Sequence, residues 1–408
     1  MSINPVEMWY RSGKHAQVNG TRVRPIQNPV YKDIYLSIQK GQAESICLIA
    51  EDKKRWILKK FLKGKGLERN YLEPVSSLLP NKEGFNAGTQ RQILSREKLT
   101  KVTGCYYTKS LAEYLDNTIL MPQIDGTDWS GFADDIRQNR LQLSRDFRIQ
   151  LCRNLVDLIA LLENNNCCHR DISSGNVFII SLRDNNGSII SHRIELIDFD
   201  SLYHPSLNMP KATTCGTVGY APPYAWRGTI LDSKQTWCEY ADRYALAILI
   251  AEFLVLNKDW PLTAEGGMFE QDELRARSGP GLNKAKKALK TQYPDAAGLF
   301  EIAINSKDFQ DCPSPQQWLR IFDNALPKPP CLDQLESIAP DYFEKILNRN
   351  RPPATLWSPP NLSEIPWFEV EFPMAGRNTV KLSSIQLNSK EKKRWFSSPI
   401  QLISQLLF

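Results

Sequence analysis

The stretch Cys168-His169-Arg170-Asp171-Ile172-Ser173-Ser174-Gly175-Asn176-Val177-Phe178-Ile179 decides how the rest of the chain is read. A turn bearing Asp171 is followed, five residues on, by an Asn that opens the run VFIISL (177–182). Such a short apolar, β-branched run predicts a buried strand. A second run, IELIDF (194–199), comes after DNNGSIISHR, where Asn186-Gly187 is a two-residue hairpin signal. It ends in Asp198-Phe199-Asp200, so a carboxylate stands at a strand end twenty-two residues beyond Asn176.

Upstream, Phe147, Leu151, Leu155, Leu158, Ile159 and Leu162 recur at three- and four-residue steps. That period predicts an amphipathic helix from about Ser144 to 164–166. Further back, YLSI, ICLIA and WILKKF are separated by KGQAES and EDKK between Ile34 and Phe61, which predicts a small antiparallel meander. Residues 81–101 are polar, with Gly84 and Gly88, and read as an insertion or a loop containing a helix. The first 30 residues are polar and irregular and read as an arm. Downstream, the chain is mostly helical to about Leu326. Its longest apolar stretch, Tyr244 to Leu256, contains Glu252 and is too short to span a bilayer, so it reads as a buried helix. Beyond it, KPP, RPPATLWSPP and EIPWFEVEFP concentrate proline. The expected organisation is an arm (1–30), a sheet-rich unit (31–122), a helical unit (123–326) and a proline-rich C-terminal extension (327–408).

Hydrophobic residues at 42% and charged residues at 24% exclude wholesale disorder. The formal net charge is +6, yet residues 1–70 hold 14 basic and 6 acidic side chains, leaving 37 and 39 in the remainder. Most of that excess lies near Lys53–Lys65, and it reads as a solvated hairpin plus a phosphate clamp. No recognised nucleic-acid motif accompanies it, so no nucleic-acid partner is expected. The nine cysteines show no Cys-x-x-Cys spacing, which predicts reduced thiols and a cytoplasmic location. MSINPVEMWYRSGKH lacks an apolar signal core, so neither secretion nor a membrane partner is expected.

Phosphoryl transfer needs a carboxylate to orient a hydroxyl and accept its proton, and hard oxygens to hold Mg²⁺ against phosphates. Asp171 suits the first role; Asn176 and Asp198 suit the second. With His169-Arg170-Asp171, Asn176 and Asp198-Phe199 in this order, the chain resembles the protein-kinase superfamily over about residues 30–326. Within it, the strings DFDSLYHP and TTCGTVGY are similar to divergent bacterial eukaryote-like Ser/Thr kinases. The resemblance implies an α+β, bilobal kinase-like fold, with a small antiparallel-sheet N-lobe of five strands and a mainly helical C-lobe. It implies ATP and Mg²⁺ as cofactors and a protein hydroxyl as acceptor.

The same resemblance assigns further residues. Lys59, in Trp56-Ile57-Leu58-Lys59-Lys60-Phe61, would clamp the α- and β-phosphates. A helix-borne Glu would pair with it: Glu73, with Glu68 and Glu97 as alternatives. Gly41 would lie in the phosphate-covering loop. In Ile119 to Gly126, backbone near Gln123 would bind adenine with Met121 behind it. Thr217, in Gly216-Thr217-Val218-Gly219-Tyr220, would hydrogen-bond Asp171, and Asp242 would brace the loop backbone. Arg170 would pair with a phosphate at Thr213 or Thr214.

Four departures stand out. Only Gly41 remains of the usual three loop glycines, and Glu44 follows it. Ser173 replaces a Lys. Asp200 replaces the Gly of Asp-Phe-Gly. Tyr224 and Cys312 replace both halves of a buried Glu–Arg bridge and should face each other. A small-molecule kinase of the aminoglycoside or choline type would account for Asp200 and Ser173, though not for Gly216 to Tyr220. A pseudokinase scaffold would account for the sparse glycines, though not for Asp171, Asn176 and Asp198 together.

Overall fold

The computed structural model of the chain describes residues 4–27, 36–40, 42–183, 189–211, 216–227, 230–260, 263 and 267–325. Gly41, the Asn186-Gly187 turn, Thr213, Thr214 and the expected extension at 327–408 lie outside these residues. The architecture is α+β.

The first half of the chain builds an antiparallel sheet of eight strands. They are β1 (Ala16–Val18), β2 (Thr21–Pro25), β3 (Ser37–Lys40), β4 (Ala43–Ala50), β5 (Arg55–Phe61), β6 (Gln92–Ile93), β7 (Leu99–Thr100) and β8 (Ile119–Pro122). The order is β6-β8-β5-β4-β2-β1-β7, with β3 also paired to β4. β4 is long enough to take two partners along one edge: β3 along Ala43 to Ile46 and β2 along Leu48 to Ala50. On its other edge β5 pairs throughout, placing Ser45 opposite Lys59. A second sheet has the order β11-β10-β9, formed by β9 (Thr127–Asp128), β10 (Val177–Arg183) and β11 (Ile189–Leu196). The expected hairpin is present, with Val177 opposite Leu196.

The expectation of an N-terminal arm is incorrect. Residues 5–25 form α1 (Pro5–Ser12), β1 and β2, and join the large sheet. Asn4 caps α1 by accepting from the Val6 amide at 2.9 Å, and Pro5 takes the first helical position, where its missing N–H matters least. Asn19 (φ 46°) and Gly20 (φ 81°) both sit in the left-handed region, as a tight hairpin between β1 and β2 requires. Val6 and Trp9 are buried in a core of their own with Val23, Ile46, Leu58 and Leu120.

Short helices follow: α2 (Arg69–Leu72), α3 (Val75–Leu78) and α4 (Asn86–Thr89). α5 (Lys109–Leu115) closes the sheet's core with Leu111 and Leu115. α6 (Trp129–Arg137) starts at Asp128, whose carboxylate accepts from the Gly131 amide at 2.8 Å. The predicted long helix is α7 (Arg145–Asn164), capped by Ser144, with Leu151, Leu155, Leu158, Ile159 and Leu162 buried. α8 (Asp242–Val255) is buried along nearly its whole length, which its apolar circumference demands. Arg148 caps its C-terminal end by donating to the Phe253 and Leu256 carbonyls at 2.7 and 2.8 Å. The chain continues through α9 (Gln271–Ala276), α10 (Pro280–Gln292), α11 (Pro294–Asn305) and α12 (Pro315–Ala325). These helices share a second, larger core. Among the described residues no helix is long and apolar enough to cross a membrane. Cys152, Cys167, Cys168, Cys238 and Cys312 carry free thiols.

Tyr224 and Cys312 meet as expected. The tyrosine hydroxyl lies 3.5 Å from Cys312 Sγ and 3.3 Å from Ser306 Oγ, and its ring stands edge-on to Phe309.

Two outcomes follow from this packing. Trp9→Ala should lower unfolding stability by about 3–5 kcal/mol, the usual loss for a buried aromatic; a detached arm would show no change in a urea titration. Tyr224→Glu and Cys312→Arg should each destabilise by about 3–5 kcal/mol, because each buries an unpaired charge. The double variant should recover much of that loss in a thermal-unfolding cycle, and strictly additive losses would exclude coupling.

Candidate functional site

The turn between α7 and β10 carries the sequence-predicted cluster, and one carboxylate shapes it. Asp242, at the start of α8, accepts from the His169 amide at 2.6 Å and the Arg170 amide at 2.7 Å. Arg170 has φ 66°, a left-handed conformation that a bulky residue rarely adopts. His169 accepts at Nδ1 from the Asp171 amide (3.3 Å) and donates from Nε2 to the Ile197 carbonyl (2.7 Å), so its ring joins this turn to the end of β11. Asp171 Oδ1 accepts from the Thr217 hydroxyl at 2.7 Å. The Asn176 amide nitrogen donates to the Asp171 carbonyl (2.8 Å) and to Oδ2 (3.2 Å). Burial, then the neighbouring Asp198 charge, push the Asp171 carboxyl up to about 6, against the opposing hydrogen bond from Thr217.

Arg170 is anchored within the fold. Its guanidinium donates to the Thr236 and Ser201 carbonyls (2.7 and 3.0 Å), to the Thr236 hydroxyl (2.8 Å) and to the Ser233 carbonyl (3.2 Å). It also stacks on Trp237 at 4.6 Å. The expected partners Thr213 and Thr214 lie outside the described residues; among those described, this buried side chain is engaged by backbone carbonyls and the Thr236 hydroxyl.

Across from the turn, Lys59 reaches from β5 to two carboxylates. Its ammonium lies 2.7 Å from Asp198 Oδ1 and 2.6 Å from Asp200 Oδ2. Burial alone would lower the Lys59 pKa, but the two carboxylates outweigh it and raise it well above the usual lysine range. Asp200 Oδ1 also pairs with Arg91 Nη1 at 2.9 Å, and both of these side chains are nearly inaccessible. Asp198 has φ 65° and is about a third exposed (36%). Phe199, between the two Asp residues, packs on His169 and Phe85. It also presses on Gly88, where a Cβ would come within 2.6 Å of its ring.

Glu73 does not pair with Lys59. It meets Arg69 at 2.7 Å on an exposed face. Pro74 is the physical reason: it separates α2 from α3, leaving two single turns in place of a helix with a continuous face. Glu68 and Glu97 are exposed as well. Arg91 carried no motif and was not expected at the site. Met121 and Gln123 sit where β8 leaves the sheet, with Met121 opposite Ile57. The Gln123 amide donates to the Arg55 carbonyl at 3.0 Å, so that backbone donor is already used within the sheet. Glu44 is held by the Tyr114 hydroxyl at 3.0 Å.

Buried carboxylates brace the surroundings. Glu195 accepts from the Gly84 and Ala87 amides and the Asn86 side chain at 3.0–3.1 Å, tying α4 to β11. Gln271 accepts from the Gly219 amide and donates to the Ala221 carbonyl, which fixes the segment bearing Thr217. Glu252 accepts from Trp129 Nε1, the Tyr220 hydroxyl and the Met268 amide.

The donor set at the turn is an Asn amide oxygen and a partly exposed carboxylate. Because the Asn176 nitrogen points to Asp171, its oxygen is the atom left for a cation. Two hard oxygens fit Mg²⁺, which takes few protein ligands and completes its shell with phosphate and water. Among the described residues no group of three or more His, Cys, Asp or Glu forms a cage for a metal ion. A scan against protein-family models finds no match to this chain, and neither does a search of curated proteins.

Glu252 supplies a pH test of this bracing. Burial pushes its carboxyl from 4.5 up to about 7. The folded state then binds the proton more tightly, so its contribution is full below pH 4.5 and is lost as pH rises through 7. The loss should total about 3 kcal/mol by the usual linkage. Urea titrations of wild type at pH 4.5 and 8 should show it, and Glu252→Gln should flatten that difference; an unchanged slope would exclude Glu252 as its source.

Proposed function

We propose that the chain is an ATP- and Mg²⁺-dependent phosphotransferase that phosphorylates a Ser or Thr hydroxyl of a protein substrate in the cytoplasm. The carrying observation is the convergence of two hydrogen-bonded sets from four separate parts of the chain, Lys59 with Asp198 and Thr217 with Asp171 and Asn176, with the Asp198 charge close enough to act on Asp171. Bound ATP·Mg²⁺ supplies the transferable phosphoryl group and neutralises its charge. Asn176 and Asp198 would hold the metal, and Lys59 would meet phosphate oxygens. Asp171 orients the incoming hydroxyl and accepts its proton, while the Thr217 hydroxyl fixes the rotation of that carboxylate.

Two features of the fold support a bilobal kinase-like reading. Strands β3, β4, β5, β8 and β6 form a contiguous set of five, and most of the sheet, with α1 and α5, has a core distinct from the one that α7 to α12 share. The contact between Thr217 and Asp171 favours a protein acceptor over a small one. Asp200 was the main argument for small-molecule transfer, yet its carboxylate is occupied by Lys59 and Arg91.

Incubation with labelled ATP·Mg²⁺ should place label on the chain itself or on a generic basic protein. Asp171→Ala should lower turnover by about 100- to 10,000-fold, the range for removing a positioned general base. Asp198→Asn should abolish metal-dependent transfer while the folded structure is retained by circular dichroism. Transfer to a small acceptor alone, nucleotide binding without turnover, or full turnover by Asp171→Ala would overturn the proposal.

A further inference from the structure

Lys59 has two carboxylate partners, and only one of them is free to stay. If Asp198 turns to a metal, the ammonium loses its 2.7 Å contact there. No helix-borne carboxylate replaces it. α2 and α3 read RNYL and VSSL, with no acidic residue, and Glu68, Glu73 and Glu97 are exposed. Asp200 remains. It is buried, its Oδ2 lies 2.6 Å from Lys59 Nζ, and its Oδ1 lies 2.9 Å from Arg91 Nη1. Each carboxylate oxygen thus serves one cation. Among the described residues, Arg91 Nε and Nη2 meet no acceptor, so Asp200 is the group that holds this buried guanidinium.

We propose that Asp200, braced by Arg91, is the positioning residue that holds Lys59 for contact with nucleotide phosphates, in place of a helix-borne glutamate. The inference rests on the phosphotransfer reading and deepens it. Asp200 does not touch the reacting atoms; it acts through Lys59. An ion pair at 2.6 Å restricts where the ammonium can sit, and Arg91 restricts where the carboxylate can sit. The consequence runs against the family pattern. Restoring the usual glycine at position 200 should impair the site, because it removes the anchor that the rest of the chain no longer supplies.

The test is a comparison of ADP and adenosine binding by calorimetry, without divalent metal, so that Asp198 has no ligand role. Wild type should bind ADP more tightly than adenosine, since Lys59 meets phosphate. Asp200→Gly and Asp200→Asn should each lose about tenfold in ADP affinity, the size of one charged hydrogen bond, with adenosine unchanged. With ATP·Mg²⁺, kcat for Asp200→Gly should fall about a hundredfold, as for other small misplacements of a clamping group. Arg91→Lys keeps the cation and should retain ADP affinity, whereas Arg91→Met should lose it; this pair reads the same interaction if the Asp200 variants do not fold. Equal or tighter ADP binding by the Asp200 variants would overturn the proposal. So would parallel losses for ADP and adenosine, which mark a structural role. Wild-type protein that binds neither nucleotide would instead remove the phosphotransfer reading itself.

Discussion

Two backbone amides point at one buried carboxylate, and the geometry of the site depends on that arrangement. A non-glycine residue in the left-handed region costs about 1–3 kcal/mol, and Arg170 is such a residue. Hydrogen bonds to a charged acceptor contribute about 1.5–3 kcal/mol each, and Asp242 accepts two of them, from His169 and Arg170. The strain is therefore outweighed where it arises. Asp242 begins a helix that is buried along nearly its whole length, so the acceptor cannot drift. The Arg170 side chain then ties the turn to Ser201 and Thr236, and through Ser201 to the segment that carries Asp198.

The second left-handed residue, Asp198, is held by packing. Phe199 is wedged among His169, Phe85 and Gly88, and any side chain at position 88 would collide with it. The small α4 segment that provides Gly88 is fixed by Glu195 through three donors. Asp171 and Asp198 are thus set by different means, one by hydrogen bonds that fix its turn and one by a steric wedge. Lys59 is where the two arrangements meet, because it comes from the sheet and ends on the Asp198–Asp200 segment.

Parts of this were legible in the sequence because they are local. The spacing from Asp171 to Asn176 sets a tight turn whose hydrogen bonds close within six residues, and the period of α7 is its own signature. Thr217 and Asp242 could be named because each stands in a recognisable string. The N-terminal 25 residues were misread for a compositional reason. β2 buries only alternate residues, and its polar exposed face hides it, although Asn4-Pro5 and Asn19-Gly20 were available as a cap and a turn. The contacts described for Arg170 were not legible because most of their acceptors are backbone carbonyls, which leave no trace in side-chain identity. The Lys59 partner was misassigned because the ion pair joins residues about 140 positions apart, and Pro74 dismantled the helix expected to supply it.

Buried charge explains why the departures from the kinase pattern that the sequence resembles come in sets. A buried ion left without its partner is far more destabilising than a neutral pair of similar volume. At Tyr224 and Cys312 both halves are neutral and touch, so nothing is left uncompensated. Around Lys59 the opposite solution is present: two cations, Lys59 and Arg91, face two carboxylates, Asp198 and Asp200. Lys59 and Arg91 together hold the Asp200 carboxyl well below the usual range, although burial works the other way. Asp200 is thus kept charged by the two cations it contacts. An aspartate in place of glycine and a missing helical glutamate look unrelated position by position. The ion pairs that Asp200 makes with Lys59 and Arg91 tie them together, so that residues 59, 91 and 200 form one charge-balanced group.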